Sequence, residues 1–190
     1  ESVQATFPDK VIGLSTSADF SKVIISSSSD KSPGAIHYYD VMEGAIVEVA
    51  DFAPWLKELQ LGDMVPFNFT ARDGVELSGY ITLPPDYRKG QKVPFIVHPH
   101  GGPNARDTFR FNPEVQIYAT RGYGVIQINY RGSVGFGLEN MKKANKQWSL
   151  KMHDDLLDGL AWATERGFVD TEKVCISGAS YGGYSAMVGI

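Results

Sequence analysis

The 190 residues contain a single cysteine, Cys175, so no internal disulfide can form. The run KVCIS around it reads as a strand that buries a reduced thiol, which fits an oxidising or a reducing environment alike. No apolar run comes near the roughly 20 residues that a membrane-spanning helix needs. Positive charge is not in surplus either: the net charge is −4, which gives no electrostatic ground for binding nucleic acid or an anionic membrane surface. No secretory leader is visible, and the first residue is Glu1, as at a processed amino terminus. Histidine is scarce: His37, His98, His100 and His153 are all there are. What is present is 43% hydrophobic and 21% charged, the composition of a globular protein able to bury the core of one domain, or of one and part of another.

The first fifty residues read as short strands punctuated by turns. KVIGLSTS is followed by the turn ADFS, then KVIISSSS, the loop DKSPG, GAIHYYDV, the turn MEG and AIVEVA. Four strands rich in Val, Ile and Tyr at this spacing predict an antiparallel meander, the size of one β-propeller blade. A lone blade leaves two unpaired edges that neighbouring blades normally cover, so residues 1–52 are expected to be the remnant of a larger propeller. After Phe52, PWLKEL reads as a short helical connector. VPFNFTA and VELSGYITLP flank Arg72-Asp73-Gly74, whose Asp-Gly pair favours a tight hairpin turn. The sequon Asn68-Phe69-Thr70 falls inside the first of these strands and is discounted.

Beyond that hairpin, strands and helices alternate: VPFIVH, a helix opened by Asn112-Pro113-Glu114 and closed near Gly122, GVIQINY, a helix over Asp154–Arg166, and KVCISG. Leu156, Leu157, Leu160, Ala161 and Thr164 are expected on one face of the second helix. Strands joined by helical crossovers predict a parallel sheet with helices on both faces, an α/β domain over residues 53–190.

KVCISG runs into Gly178-Ala179-Ser180-Tyr181-Gly182 and then a helix. Strand, Gly-x-Ser-x-Gly, helix places the serine on a sharp turn and aims the helix's free N–H groups at developing negative charge. Ser180 is therefore the candidate nucleophile, and the backbone N–H of Tyr181 a candidate oxyanion donor. Some eighty residues earlier, His98-Pro99-His100-Gly101-Gly102-Pro103 follows the strand VPFIV. Its glycines let backbone approach a ligand, and Gly102 can supply a second donor. Arg131 reads as half of a buried ion pair rather than a clamp for a substrate carboxylate, and Asp154 and Asp155 as acids of a helix's first turn. Nothing in the sequence calls for a metal or a cofactor.

HGGP, NYRGSVGFG, DDLLDGLAWATERGFVD and GASYGGYSA, in that order, resemble the prolyl oligopeptidase family of serine peptidases, and in particular its acylaminoacyl-peptidase and dipeptidyl-peptidase branch. The resemblance implies an α/β-hydrolase domain preceded and capped by a β-propeller. It also implies hydrolysis of short peptides through an acyl-enzyme at Ser180, with the N–H groups of Gly102 and Tyr181 as the oxyanion hole. His100 stands where some members of the family carry an oxyanion-stabilising tyrosine.

In α/β-hydrolases the triad runs Ser, acid, His along the chain, yet every histidine here precedes Ser180, which only ten residues follow. The triad Asp and His are thus expected outside this chain, and the 190 residues alone to be nearly inactive. An esterase of the same fold and a non-catalytic binding or scaffold fragment are the alternatives; HGGP and the blade-like start favour the peptidase. With later strands absent, KVCISG would form an apolar edge, to be covered by the missing carboxy-terminal segment, a swapped neighbour or a second copy.

Overall fold

The structure, a computed structural model, describes residues 2–190. They form two compact units: the residues up to Gln60 together with Phe109–Pro113, and residues Leu61–Thr108 with Glu114–Ile190.

The first unit opens with the short helix α1 (Ser2–Thr6). Four antiparallel strands follow, β1 (Val11–Thr16), β2 (Lys22–Ser29), β3 (Ser32–Asp40) and β4 (Ala45–Asp51), in the order β1-β2-β3-β4. Strand β2 alternates exposed and buried residues, as the period of a pleated strand requires, with Val23, Ile25 and Ser27 inward. Ser32 and Pro33, expected in a turn, belong to β3, because Ser29 pairs with Ser32 across Asp30-Lys31. A proline is tolerated there, close to the strand's first residue. The outer strands expose apolar side chains: Leu14 is 56% and Val49 62% accessible. Pro54–Glu58 forms one 3-10 turn after β4.

The second unit holds β5 (Met64–Thr70), β6 (Glu76–Thr82), β7 (Val93–Val97), α2 (Pro113–Ala119, whose first residue lies in the other unit), β8 (Gly124–Asn129), α3 (Leu138–Lys142), α4 (Lys151–Glu165), β9 (Val169–Ile176) and α5 (Tyr181–Val188). Its sheet runs β5-β6-β8-β7-β9. The strands joined by helical crossovers, β8, β7 and β9, are parallel as expected, whereas β5 pairs antiparallel with β6 and β6 antiparallel with β8. For the pair β5 and β6 the cause is local. Arg72-Asp73-Gly74 closes a hairpin, with the Ala71 N–H donating to Val75 O at 2.8 Å and Gly74 at φ 83°, and a hairpin can only join antiparallel neighbours. Helical crossovers begin only after β7.

The core lies between this sheet and α4, with Phe95, Ile126, Ile128, Tyr130, Met152 and Leu156 essentially inaccessible. Helix α4 starts three residues earlier than expected. Its buried stripe is Met152, Asp155, Leu156, Gly159 and Ala163 rather than the face containing Leu157 and Thr164. These positions follow the i, i+3, i+4 spacing of one helix face. A second correction concerns Cys175, which is exposed. Strand β9 is the outermost of the sheet and pairs with β7 alone, so most of its residues after Asp170 are accessible.

Candidate active site

Parallel strands β7 and β9 lie side by side with Val97 opposite Ile176, and the Ser177 N–H extends the ladder by donating to Val97 O at 2.9 Å. Register alone therefore delivers the two loops that follow, His98–Pro103 and Ser177–Ser180, to the same end of the sheet. His98 ties them together. Its backbone N–H donates to Ile126 O (2.8 Å), while its ring Nδ1, facing a carbonyl and hence carrying the hydrogen, donates to Ser177 O at 2.9 Å.

Ser180 stands at the mouth of α5 with φ 56° and ψ −120°. A non-glycine residue at positive φ costs about 1–3 kcal/mol and persists only where its surroundings impose it. Here they do. The Gly182 N–H donates to Ala179 O (2.9 Å) and the Tyr184 N–H to Ser180 O (3.0 Å), winding the helix directly from the serine. Gly178 and Gly182 press against the Pro99 carbonyl so closely that a Cβ on either would collide with it. Both of the motif's glycines thus face the backbone of the HPHGGP loop, and a Cβ on Gly178 would also meet the backbone of Gly182. Ser180 is exposed while Tyr181 is buried, so the turn leaves the serine at the surface and anchors the next residue.

Gly101 packs against the serine: a Cβ added there would lie 3.3 Å from Ser180 Cβ and 3.8 Å from its Oγ. Gly102 follows at φ 119° and is exposed, ahead of the cis Gly102-Pro103 bond. The first-turn N–H groups of α5, that of Tyr181 foremost, have no acceptor within the helix. Ser180, the HPHGGP backbone and the start of α5 therefore converge on one patch of surface.

His100 is held inside rather than presented. Its ring stacks on Tyr130 at 4.4 Å and 15°, with Nε2 2.9 Å from Ser133 Oγ and Nδ1 2.7 Å from Gly101 O. Burial holds its pKa below the usual imidazole value. The Tyr130 hydroxyl donates to His100 O at 2.8 Å, and burial pushes its own pKa up. Tyr130, Tyr181, Tyr184 and Trp148 form an aromatic cluster around the first turn of α5, with ring centroids 4.9–5.7 Å apart along the chain of contacts. Tyr130 and Ser133 lie within NYRGSVGFG, yet neither they nor Trp148 stood out as site residues in the sequence.

Arg131 makes the structural ion pair. Its Nε and Nη2 donate to Asp155 at 2.8 and 2.7 Å, its backbone N–H adds a third bond at 2.8 Å, and both terminal nitrogens reach Asp73 at 2.9 Å. The Arg131 hydrogen bonds, joined by Lys151, hold the Asp73 carboxyl well below the ordinary range. The network raises the already high pKa of the guanidinium, Asp155 first and Asp73 after it. Asp154 pairs with Arg72 at 3.1 Å. His37 sits in the other unit, 3.7 Å from Glu48, and His153 lines an apolar groove between α4, β9 and α5. No cluster of three or more His, Cys, Asp or Glu suited to a metal occurs among the described residues.

Residues 109–189 match the model of the prolyl oligopeptidase family. The chain is 34% identical over 196 residues to dipeptidyl aminopeptidase BIII of Pseudoxanthomonas mexicana, covering 100% of this chain and 28% of that protein. It is also 34% identical to dipeptidyl peptidase family member 6 of Caenorhabditis elegans, over 93% of this chain and 27% of the relative. Among solved structures, an acylaminoacyl peptidase of Pyrococcus horikoshii aligns with a TM-score of 0.76 at 26% identity, over 95% of this chain and 29% of that one. An acylaminoacyl peptidase bound to Z-Gly-Gly-Phe-chloromethyl ketone aligns with a TM-score of 0.77 at 27% identity, covering 95% and 28%. The chain thus spans less than a third of the length of these relatives. It belongs to the prolyl oligopeptidase family, a family of serine peptidases.

Proposed function

We propose that this member of the family carries the nucleophile and the oxyanion hole of a serine peptidase that cleaves short peptides through an acyl-enzyme at Ser180. One observation carries the reading: an exposed serine at φ 56°, at the head of a helix, packed against the glycines of the HPHGGP loop. In this reading Ser180 Oγ attacks the scissile carbonyl. The N–H groups of Gly102 and Tyr181 take up the negative charge of the tetrahedral intermediate, and the amine leaves to give a Ser180 ester that water hydrolyses. The base and its orienting acid come from residues outside this chain, since His98 and His100 are both engaged in holding the loop. On the same reading residues 1–52 are a propeller blade and 53–190 the amino-terminal part of an α/β-hydrolase domain. A further segment or a second chain then covers the open edge of β9. The occurrence of a relative bound to a peptide chloromethyl ketone supports a peptide substrate.

The test is labelling of the native protein with a fluorophosphonate, followed by mass mapping. One adduct on Ser180, lost together with peptidase activity in Ser180→Ala, is expected, with activity falling by about 10³-fold or more. Unchanged hydrolysis in Ser180→Ala would sink the reading.

A further inference from the structure

Most arginines of the second unit spend their donors on the protein itself. Arg72 holds Asp158 and Asp154, Arg131 holds Asp155 and Asp73, and Arg121 and Arg166 each donate to a carbonyl four residues back. Arg106 is different. It is exposed, and among the described residues its guanidinium makes no hydrogen bond and no ion pair, yet the group is not loose. It lies over the Phe136 ring, 5.2 Å from the centroid, and against Gly135, where a Cβ would collide with it. We infer that Arg106 is a specificity-determining residue, whose guanidinium binds a carboxylate of the peptide substrate near the scissile bond. This rests on the reading of Ser180 as nucleophile and of Gly102 as oxyanion donor.

The frame beneath Arg106 is fixed on both sides. Before it, Ala105 O accepts from the Val134 N–H at 3.0 Å and Asn104 Nδ2 donates to Gly132 O at 3.1 Å. After it, the backbone N–H and C=O of the buried Asp107 bond to the Asn129 side chain at 2.8 and 3.2 Å. Both neighbours are thus fastened to the end of β8 and to the loop after it, which carries Gly135 and Phe136. Stacking on an aromatic face orders a guanidinium without using any of its five N–H donors. Rotamer freedom is therefore lost before a ligand arrives, and the fork stays open. Such a fork matches a carboxylate with two parallel hydrogen bonds.

Its place follows from the strand order, in which β7 lies between β8 and β9. The Ser180 turn stands on the β9 flank of the glycine loop, where Gly101 meets it, and Arg106 stands on the β8 flank. Gly102 lies between, and a Cβ on it would come within 3.2 Å of Ala105 Cβ, one residue before Arg106. Consecutive Cα atoms are about 3.8 Å apart and an extended peptide advances about 3.5 Å per residue. The guanidinium therefore reaches groups about one to three residues from a carbonyl held at Gly102. In a short peptide two carboxylates occur at that distance, the terminal α-carboxylate and the side chain of Asp or Glu.

A short peptide that the native protein cleaves separates the two sources when made in three forms: with a free carboxy terminus, as its terminal amide, and as that amide with glutamate following the scissile bond. The quantity to read is the ratio of kcat/KM, carboxylate form over plain amide, which does not depend on how much of a variant folds. In wild type at least one carboxylate form should give a ratio of about ten or more, most of it in KM. Raising the salt from about 0.05 M to about 0.5 M should lower that ratio severalfold, because the group is exposed. Arg106→Gln should bring it to about one, and Arg106→Lys, which keeps the charge without the fork, to a value between. Phe136→Leu, which loosens the seat, should lower it about two- to fivefold. A ratio carried by the free terminus alone assigns the α-carboxylate, by glutamate alone the side chain, and by both a site that takes either. A wild-type ratio near one for both forms, or a ratio unchanged in Arg106→Gln, would overturn the inference. Ser180→Ala, measured in parallel, separates it from the underlying reading. An inactive Ser180→Ala beside an unchanged ratio in Arg106→Gln leaves only Arg106 misassigned, whereas an active Ser180→Ala removes both.

Discussion

Strands β8 and β9 flank the same strand, β7, run parallel to it, and are both apolar in part, yet they live in different surroundings. Every residue of β8 is buried, since β6 and β7 pair with both its edges and its side chains reach into the core. Strand β9 is paired on one edge, and from Thr171 to Cys175 its residues are exposed. One strand gives the sheet its stability. The other gives the site its position, because its last residues lead into Ser180. Val97 opposite Ile176 supplies the register that sets the height at which the serine turn emerges.

The largest expected effect lies where β8 runs out. Arg131→Met strips the fully buried Asp155, whose pKa burial already pushes up, of its guanidinium partner, and removing one member of such a pair costs about 3–5 kcal/mol. Urea unfolding of the native protein should show it as a lower midpoint at constant slope. A loss under about 1 kcal/mol would mean that the network is decoration. Next, Ile128→Ala should cost about 2–5 kcal/mol, as cavities in closed cores do, whereas Val174→Ala on β9, whose side chain is already part exposed, should cost under about 1 kcal/mol. Equal losses at the two sites would erase the contrast between the strands. In a longer protein they would also show that β9 is covered.

The smallest effect is one of pH. Asp73 is held ionised by Arg131 and Lys151, so its folded pKa lies below its unfolded value of about 3.9. Its contribution is therefore present in full above about pH 4 and is lost as pH falls through the folded value. Asp73→Asn should lower the melting temperature at neutral pH and flatten its decline between about pH 4 and pH 2. A mutant that tracks the wild-type decline in parallel would assign the acid sensitivity elsewhere.

Much of the site was legible in the sequence because its signals are local. Gly178, Ser180 and Gly182 lie within five residues, and HPHGGP is contiguous with the strand that places it. Pairings made at long range were not legible. His100 meets Tyr130 and Ser133 across 30 and 33 residues, and no periodicity announces such a contact. The same holds for Asp155, which reads as a first-turn acid and is instead the buried partner of a guanidinium 24 residues away. Cys175 was misread because VCI is as apolar as VII; the burial of a strand depends on what lies beside it, and composition does not carry that. The hairpin of β5 and β6 was legible in the three-residue turn that joins them, whereas the antiparallel pairing of β6 with β8, about 47 residues apart, has no local signal.

The Arg72-Asp73-Gly74 turn is stapled from both flanks: Arg72 by Asp158 and Asp154, 86 and 82 residues along the chain, and Asp73 by Arg131, 58 residues along. A hairpin can close in microseconds, but the Arg72 staples need α4 in place, and the Asp73 staple needs the segment that follows β8. Contacts of such long sequence separation are expected to form late, after the transition state. Cutting them should leave the refolding rate of this unit almost untouched and accelerate its unfolding, so that the turn governs how long the folded protein lasts rather than how quickly it forms.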